Sequence, residues 1–476
     1  VMTATATLTA DDATDDTAVY TYGWDTAFAI PIPDVNQAIV DEGSSPPGFS
    51  VTEPTFSVTG TFGPWQVCQG GDGKAVRMIW PLSQVVLTYT STGKQLTFDE
   101  GHAVVEVELH YIPHTGAEQS CTGSPQALIV NSTAPSPTVP PLSIIDLQLT
   151  PAPGTVSGAL VSAALLDWGT ANLGDFAHVF AVVDLNPMVA QGQWGFVTPN
   201  YTSYAYLDGD SLPDSVLAVL CMTGTRTGDL LPEQVSQAAI PSGSVAGFVV
   251  SQARMLDDLV RPAIMMTYPG LTDDNFLLNS DATELYLTEG TSIALAPVTQ
   301  DGNSYQPYLT NLTVTAEGGT LILNSYTSTE VAAGITATCD STQWYTIELG
   351  TSSNGQTLTF TATQQPAIVH DIHQSPGSIL TQLIILLVGG LALALLAVLT
   401  DGAALIVGGL VIGLIMGASQ ITPPLIEKLN GDDAPSIGLL LTNAVDPITW
   451  TAGSAFKLDH AGLNVSLQLG GDPLFT

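Results

Sequence analysis

Only eight of the 476 residues are lysine or arginine: Lys74, Arg77, Lys94, Arg226, Arg254, Arg261, Lys428 and Lys457. No two are adjacent, so nucleic-acid binding, which needs clustered basic side chains against phosphates, is excluded. The same scarcity leaves no polybasic patch for anionic headgroups. Cysteine is also scarce. Cys68, Cys121, Cys221 and Cys339 lie far apart without a C-x-x-C pair, which argues against a zinc ribbon or a redox motif. Free buried thiols are the expectation, and Cys68 with Cys121 is the first pair to test for a disulfide. The opening stretch carries no basic region followed by an apolar run, so the chain as it stands shows no secretory leader.

Acid is abundant. Forty-four Asp and Glu give a formal charge of −36, yet only 11% of residues are charged and 45% are hydrophobic, with a mean hydropathy of +0.30. An acidic disordered tail would lack that apolar content, so the chain should fold behind a largely neutral Ser, Thr, Gln and Gly surface.

Along the chain, residues 1–19 read as a disordered acidic arm. A short helix is expected to begin at Pro33 or Asp34, both suited to a first turn. Period-two segments such as Val85–Thr90 and Val104–Leu109 mark an antiparallel, β-rich lobe over 20–132. The proline-rich stretch 133–142 reads as a linker. Residues 143–375 mix strands with a piece of helix and strand around Val216–Met222 and one amphipathic helix over Ser251–Met266. In that helix Met255, Leu256, Leu259, Val260 and Ile264 share a stripe, and Pro262 is expected to bend or end it. Further strands are expected at Phe276–Leu278 and Glu284–Leu287, and residues 425–476 end in strands that return to the body.

An apolar helical hairpin is expected over 376–424. Leu383–Leu399 is an uninterrupted run of 17 apolar residues, Asp401-Gly402 suits a turn, and Ala403–Met416 adds 14 more. As helices the runs would span about 25 Å and 21 Å against a hydrocarbon core of roughly 30 Å. A buried hairpin and membrane contact both fit. Leu386, Leu387, Leu395, Leu396, Ile406, Leu410 and Leu414 are the candidate lipid-contacting residues.

Catalytic motifs give little. Gly243-Ser244-Val245-Ala246-Gly247 has its serine misplaced for a nucleophile elbow. Gly70-Gly71-Asp72-Gly73-Lys74 lacks the phosphate-loop spacing and suits a hairpin turn. Glu106 and Glu108 share one strand face and read as a solvated pair rather than glycosidase acids. His370 and His373 would need further ligands to hold a metal, and His110 with His114 fits a loop. Trp24 beside Asp25 suits an aromatic packed under a turn. No cofactor and no metal are expected, and the chain reads as a non-enzyme.

Several segments together resemble the forty-seven-kilodalton protein family encoded beside botulinum neurotoxin and its OrfX-type relatives. They are Thr21-Tyr22-Gly23-Trp24-Asp25-Thr26 followed by Asn36, Trp194–Pro199 leading to Tyr204–Asp208, and Ile240-Pro241-Ser242-Gly243 running through Phe248–Gln252 to Leu259-Val260-Arg261-Pro262. The resemblance implies an α+β, TULIP-like fold, in which a curved antiparallel sheet wraps around a long helix. It further implies a secreted, toxin-associated accessory protein whose partner is a lipid or another apolar molecule, a toxin component, or a membrane. The motif residues Tyr22, Gly23, Trp24, Asp25 and Asn36 are expected to be structural. The relatives are rich in lysine and this chain is not, so phosphoinositide headgroups do not carry over. An alternative is a membrane-inserting or structural assembly protein acting through residues 383–416.

Overall fold

The computed structural model describes residues 18–113, 125–184, 199–268, 270–300, 302–352, 355–364, 367–376, 448–449 and 457–472. The apolar hairpin, with its seven candidate contact residues, lies outside them, as do residues 1–17. The last two residues of the expected arm are ordered. Ala18 and Val19 are buried, and Val19 bridges Val465.

The chain opens with β1 (Thr26–Pro31) and α1 (Ile32–Glu42), followed by β2 (Gly48–Thr52), β3 (Phe56–Phe62), β4 (Gln66–Asp72), β5 (Ala75–Tyr89), β6 (Gln95–Pro113), β7 (Pro125–Val130) and β8 (Leu142–Thr150). Then come α2 (Thr155–Asn172), β9 (Ala181–Asp184), β10 (Pro199–Leu207), β11 (Val216–Thr223) and β12 (Ala246–Val250). A helical segment follows, made of α3 (Gln252–Arg254), a π-helical turn (Met255–Val260) and α4 (Arg261–Thr267). The remaining strands are β13 (Phe276–Leu278), β14 (Glu284–Leu287), β15 (Ile293–Ala294), β16 (Val298–Gln300), β17 (Asn303–Tyr305), β18 (Pro307–Glu317), β19 (Thr320–Ala332), β20 (Ile335–Ser352), β21 (Gly355–Ala362), β22 (Ala367–Gln374), β23 (Ile448–Thr449), β24 (Lys457–Asn464) and β25 (Ser466–Asp472).

Among the described residues the strands build three large antiparallel sheets and one hairpin. The first sheet runs β2-β3-β5-β6-β7-β9-β23, with β4 on β5 and β8 on β6. A central sheet runs β10-β11-β1-β12-β25-β24, and a third runs β13-β14-β18-β19-β20-β21, with β15 on β18 and β22 on β20. The molecule is therefore mostly sheet with few helices, a more β-rich body than the α+β expectation.

The expectations differ from the structure in four places. Among the described residues the longest helix is α2, not the segment at 251–266. It buries Val161, Ala164, Leu165 and Trp168 at i, i+3, i+4 and i+7 against the first sheet. Second, Pro262 does not end its helix. The Arg261 N–H reaches back to the Leu256 carbonyl, a π-type bond that widens the turn just before the ring, and the helix runs on to Thr267. Third, Val216–Met222 lies wholly within β11, whose residues are all buried, and a strand covered on both faces has no alternation to betray it. Fourth, His110 lies on β6 rather than in a loop, while His114 is outside the described residues. The proline-rich stretch 133–142 joins β7 to β8 of one sheet, and the same sheet continues through α2 to β9.

The first sheet and α2 enclose an aromatic core. Trp65 stacks on Trp80 with centroids 4.1 Å apart, and Trp168 of α2 meets both edge-on at 6.2 Å and 6.1 Å. Phe62 and Phe176 close around them at 5.4 Å and 5.0 Å from Trp65. The indole N–H groups of Trp65 and Trp80 are buried without an acceptor, a polar cost carried by an otherwise apolar space. Two tyrosines of β10 fasten the central sheet onto the first. Tyr204 Oη donates to the Lys74 carbonyl (2.7 Å) and accepts from the Leu109 N–H (2.8 Å), while Tyr206 exchanges two main-chain bonds with Gly73.

Candidate functional site

The motif residues build a turn that delivers two side chains inward. Tyr22 and Gly23 both adopt positive φ, and a Cβ on Gly23 would stand 2.8 Å from Leu231 Cδ2, so glycine is required there. Trp24 is buried, donates from Nε1 to the Pro232 carbonyl (2.8 Å) and stacks on Tyr201. Asp25, 5% exposed, accepts on Oδ2 from the Thr223 amide (2.7 Å), the Thr223 hydroxyl (3.1 Å) and Arg226 Nε (2.8 Å). Its Oδ1 faces Arg254 Nε at 3.4 Å. A buried carboxylate is costly unless paired and hydrogen-bonded, and here it is both.

Arg254 carries the network onward to Asp257 (3.3 Å) and Asp258 (2.7 Å), and Arg261 joins Asp257 (3.1 Å) to Asp273 (3.4 Å). Burial raises the Asp258 pKa even against the opposing pull of Arg254. The Ser251 N–H also donates to the Asp25 carbonyl (2.8 Å). Motif and helix are thus brought together, with Met255, Leu256, Leu259 and Val260 buried beneath the ion pairs. Asn36, on α1, is held apart from this network and bonds the main chain of β4. Trp24, Asp25 and Asn36 are all buried and hydrogen-bonded to main chain or side chains of other segments.

Two of the remaining bases are also engaged. Lys74 pairs with Glu233 and Arg77 with Glu106, each at 2.9 Å, and among the basic side chains described Lys94 alone lacks an ion pair. Glu108, expected beside Glu106 on a solvated face, is exposed. Gly70–Lys74 forms the end of β4 and the hairpin turn into β5. Among the described residues no three His, Cys, Asp or Glu side chains converge to hold a metal, and no helix is long and apolar enough to cross a membrane.

Two of the concavities among the described residues bear on function. The first is a groove of about 490 Å³ on the outer face of the first sheet, walled by Ile79, Val104, Ile145, Leu212 and Cys68 and edged by the polar Gln69, Arg77 and Asp146. On β5, Val76, Met78 and Trp80 point into the core, and on β6 Ala103, Val105 and Val107 do the same. The outward residues Ile79 and Val104 are direct cross-strand partners on a face where water would ordinarily meet polar side chains. A register shift opposite Val104/Val105 leaves Ile145 as a bulged residue, 44% exposed. Burial pushes the Cys68 thiol up to about 11, with Arg77 opposing, so it stays protonated and serves as wall rather than nucleophile. No sequence pattern marks this groove, because which residues face outward is known only once the inward register is known.

The second is a cavity of about 660 Å³ where the segments leaving α1 and α2 meet, lined by Glu42, Ser44, Pro46, Trp168, Asp175 and Ala177 among others. Glu42 Oε2 lies 2.8 Å from Nδ1 of His178, a ring 1% exposed and flanked by Phe176 and Phe180. Burial lowers the His178 pKa, more than Glu42 raises it.

Comparison with known proteins agrees with this architecture. A family model described as OrfX-like, for proteins OrfX2, OrfX3 and P47, matches residues 21–471. OrfX3 of Paraclostridium bifermentans is 33% identical over 95% of this chain and 98% of its own length, and OrfX3 of Clostridium botulinum (strain Kyoto / Type A2) is 29% identical over the same shares. Among solved structures, P47 of Clostridium botulinum A2 superposes with a TM-score of 0.64 at 16% identity, covering 96% of this chain and 98% of that one. P47 of Clostridium botulinum E1 gives 0.62 at 14% identity over 95% and 99%.

Proposed function

The chain belongs to the OrfX-like family of OrfX2, OrfX3 and P47 proteins, and on that premise we propose that it is a secreted, non-enzymatic accessory protein of a toxin system that binds the acyl chain of a lipid or another apolar molecule. The observation that carries the reading is the apolar outer groove. Ile79, Val104, Ile145 and Leu212 offer branched aliphatic walls, and each methylene withdrawn from water there contributes about 0.8 kcal/mol. Its volume lies within the usual range of ligand pockets. The space between α2 and the first sheet is filled by Trp65, Trp80, Trp168 and Phe62 and leaves no room for an acyl chain, which favours the outer groove. The engaged bases favour apolar burial over headgroup attraction. The protonated thiols and the arginine-bound Asp25 favour a binding role over catalysis.

The test is lipid extraction and mass spectrometry of the purified protein, followed by titration with a pyrene-labelled fatty acid. Ile145→Asp replaces an aliphatic wall residue by a second carboxylate beside Asp146 without touching the core, and binding at least ten-fold weaker than wild type is expected. Absence of saturable binding, or equal binding by the variant, would overturn the reading.

A further inference from the structure

The cavity between the ends of α1 and α2 has a composition of its own. Helix α1 ends at Glu42 and α2 at Asn172, and the segments that leave both ends line the space. The C-terminus of a helix carries the negative end of its dipole, ordinarily balanced by a basic residue in the last turn. Neither helix has one there. Two carboxylates, Glu42 and Asp175, add to this negative end, and no lysine or arginine lines the cavity. Pro46, Ala177 and Trp168, the last 8% exposed, supply apolar and aromatic wall.

We propose that this cavity binds the ammonium group of a small organic cation. An indole with adjacent carboxylates is the chemistry that recognises alkylated ammonium, by cation–π attraction and charge pairing together. No group of three metal-ligating side chains converges among the described residues. His178 supports the assignment. The charged group that meets it is Glu42 from α1, at 2.8 Å, and the ring itself lies buried beneath the cavity. With its pKa lowered by burial, the ring is neutral at pH 7 and leaves the Glu42 charge uncancelled. The same ammonium chemistry is offered by a free amine and by the headgroup of a choline lipid.

Isothermal titration calorimetry of the full chain with tetramethylammonium and with cholinium chloride, against sodium chloride at equal ionic strength, tests the proposal. Saturable binding of the organic cations alone is expected, about ten-fold weaker in Asp175→Asn, whose exposed turn tolerates the change, and weaker again in Glu42→Gln. Flotation with phosphatidylcholine against phosphatidylglycerol vesicles separates the sources. Choline-vesicle binding lost in Asp175→Asn marks a lipid headgroup, and titration binding without it marks a free amine. An equal response to sodium, or unchanged binding by Asp175→Asn, would overturn the proposal. Ile145→Asp leaves cholinium binding unchanged, so the fate of the outer groove is decided separately.

Discussion

Asn36 and Val67 exchange two hydrogen bonds across 31 residues of chain: the Asn36 amide donates to the Val67 carbonyl at 2.9 Å, and the Val67 N–H donates to Asn36 Oδ1 at 2.7 Å. One side chain thereby completes the main-chain pairing of β4 where it meets α1. Asparagine alone among the short side chains presents both a donor and an acceptor in one plane. Asn36→Asp should set a carboxylate oxygen against a carbonyl in a buried place and cost about 2–3 kcal/mol. Urea unfolding followed by tryptophan fluorescence measures it, and a loss below experimental error would show that the pairing is dispensable.

The two arginines on Asp25 are expected to contribute unequally. The Arg226 side chain is 37% exposed and that of Arg254 13%. Arg226→Met should cost at most about 1 kcal/mol, within the range of solvent-screened pairs. Arg254→Met abandons Asp25, Asp257 and Asp258 together and should cost about 3 kcal/mol or more. Equal losses in parallel urea titrations would contradict this partition.

Acid should weaken the fold through His178. Its folded pKa is lowered, so the stabilising contribution of the neutral ring is full above the unfolded value near 6.5 and declines as pH falls below it. His460, lowered by burial as well, acts in the same direction. Thermal unfolding midpoints between pH 7.5 and 5 should fall in wild type, with a shallower slope in His178→Gln. An identical slope in the two proteins would remove His178 from the account.

The described thiols should resist alkylation. Burial raises Cys68 and Cys339 to about 11 and Cys221 to about 12, and all three are free. Iodoacetamide at pH 8, read by peptide mass spectrometry, should label Cys68 first and slowly, and Cys221 only after denaturation. Rapid native labelling of Cys221 would show the central sheet opening.

Vesicle binding should strengthen on acidification. At neutral pH the charge of −36 opposes approach to an anionic bilayer, and protonation of carboxylates near pH 4 relieves it. Flotation with anionic vesicles at pH 4 and pH 7 compares the two, and equal or weaker binding at the lower pH would refute the expectation.

The legibility of this chain depends on contrast between faces. Phe276–Leu278 and Glu284–Leu287 are strands to the residue, and the helix at Pro33 starts one residue earlier, because turn residues and proline mark their limits. Helix α2 went unread although Val161, Ala164, Leu165 and Trp168 recur at helical spacing. Its other side carries Val156, Gly158, Ala159 and Ala163, so the polar half of the usual pattern is missing. The motif Tyr22–Asp25 was legible as a unit, but its arginine partners lie some two hundred residues away and only the fold joins them. Both concavities are products of packing between distant segments, and no local spacing announces them.

The central sheet sets a condition on synthesis. Strand β1, near the start of the chain, is flanked by β11 and β12, and β12 has β25 as its other neighbour. A nascent chain still lacking residues 457–472 therefore presents the bare edge of β12, with the bridge from Val19 to Val465 unmade. Until β25 has been made and has paired with β12, some two hundred residues earlier in the chain, that edge is open to pairing with a neighbouring chain.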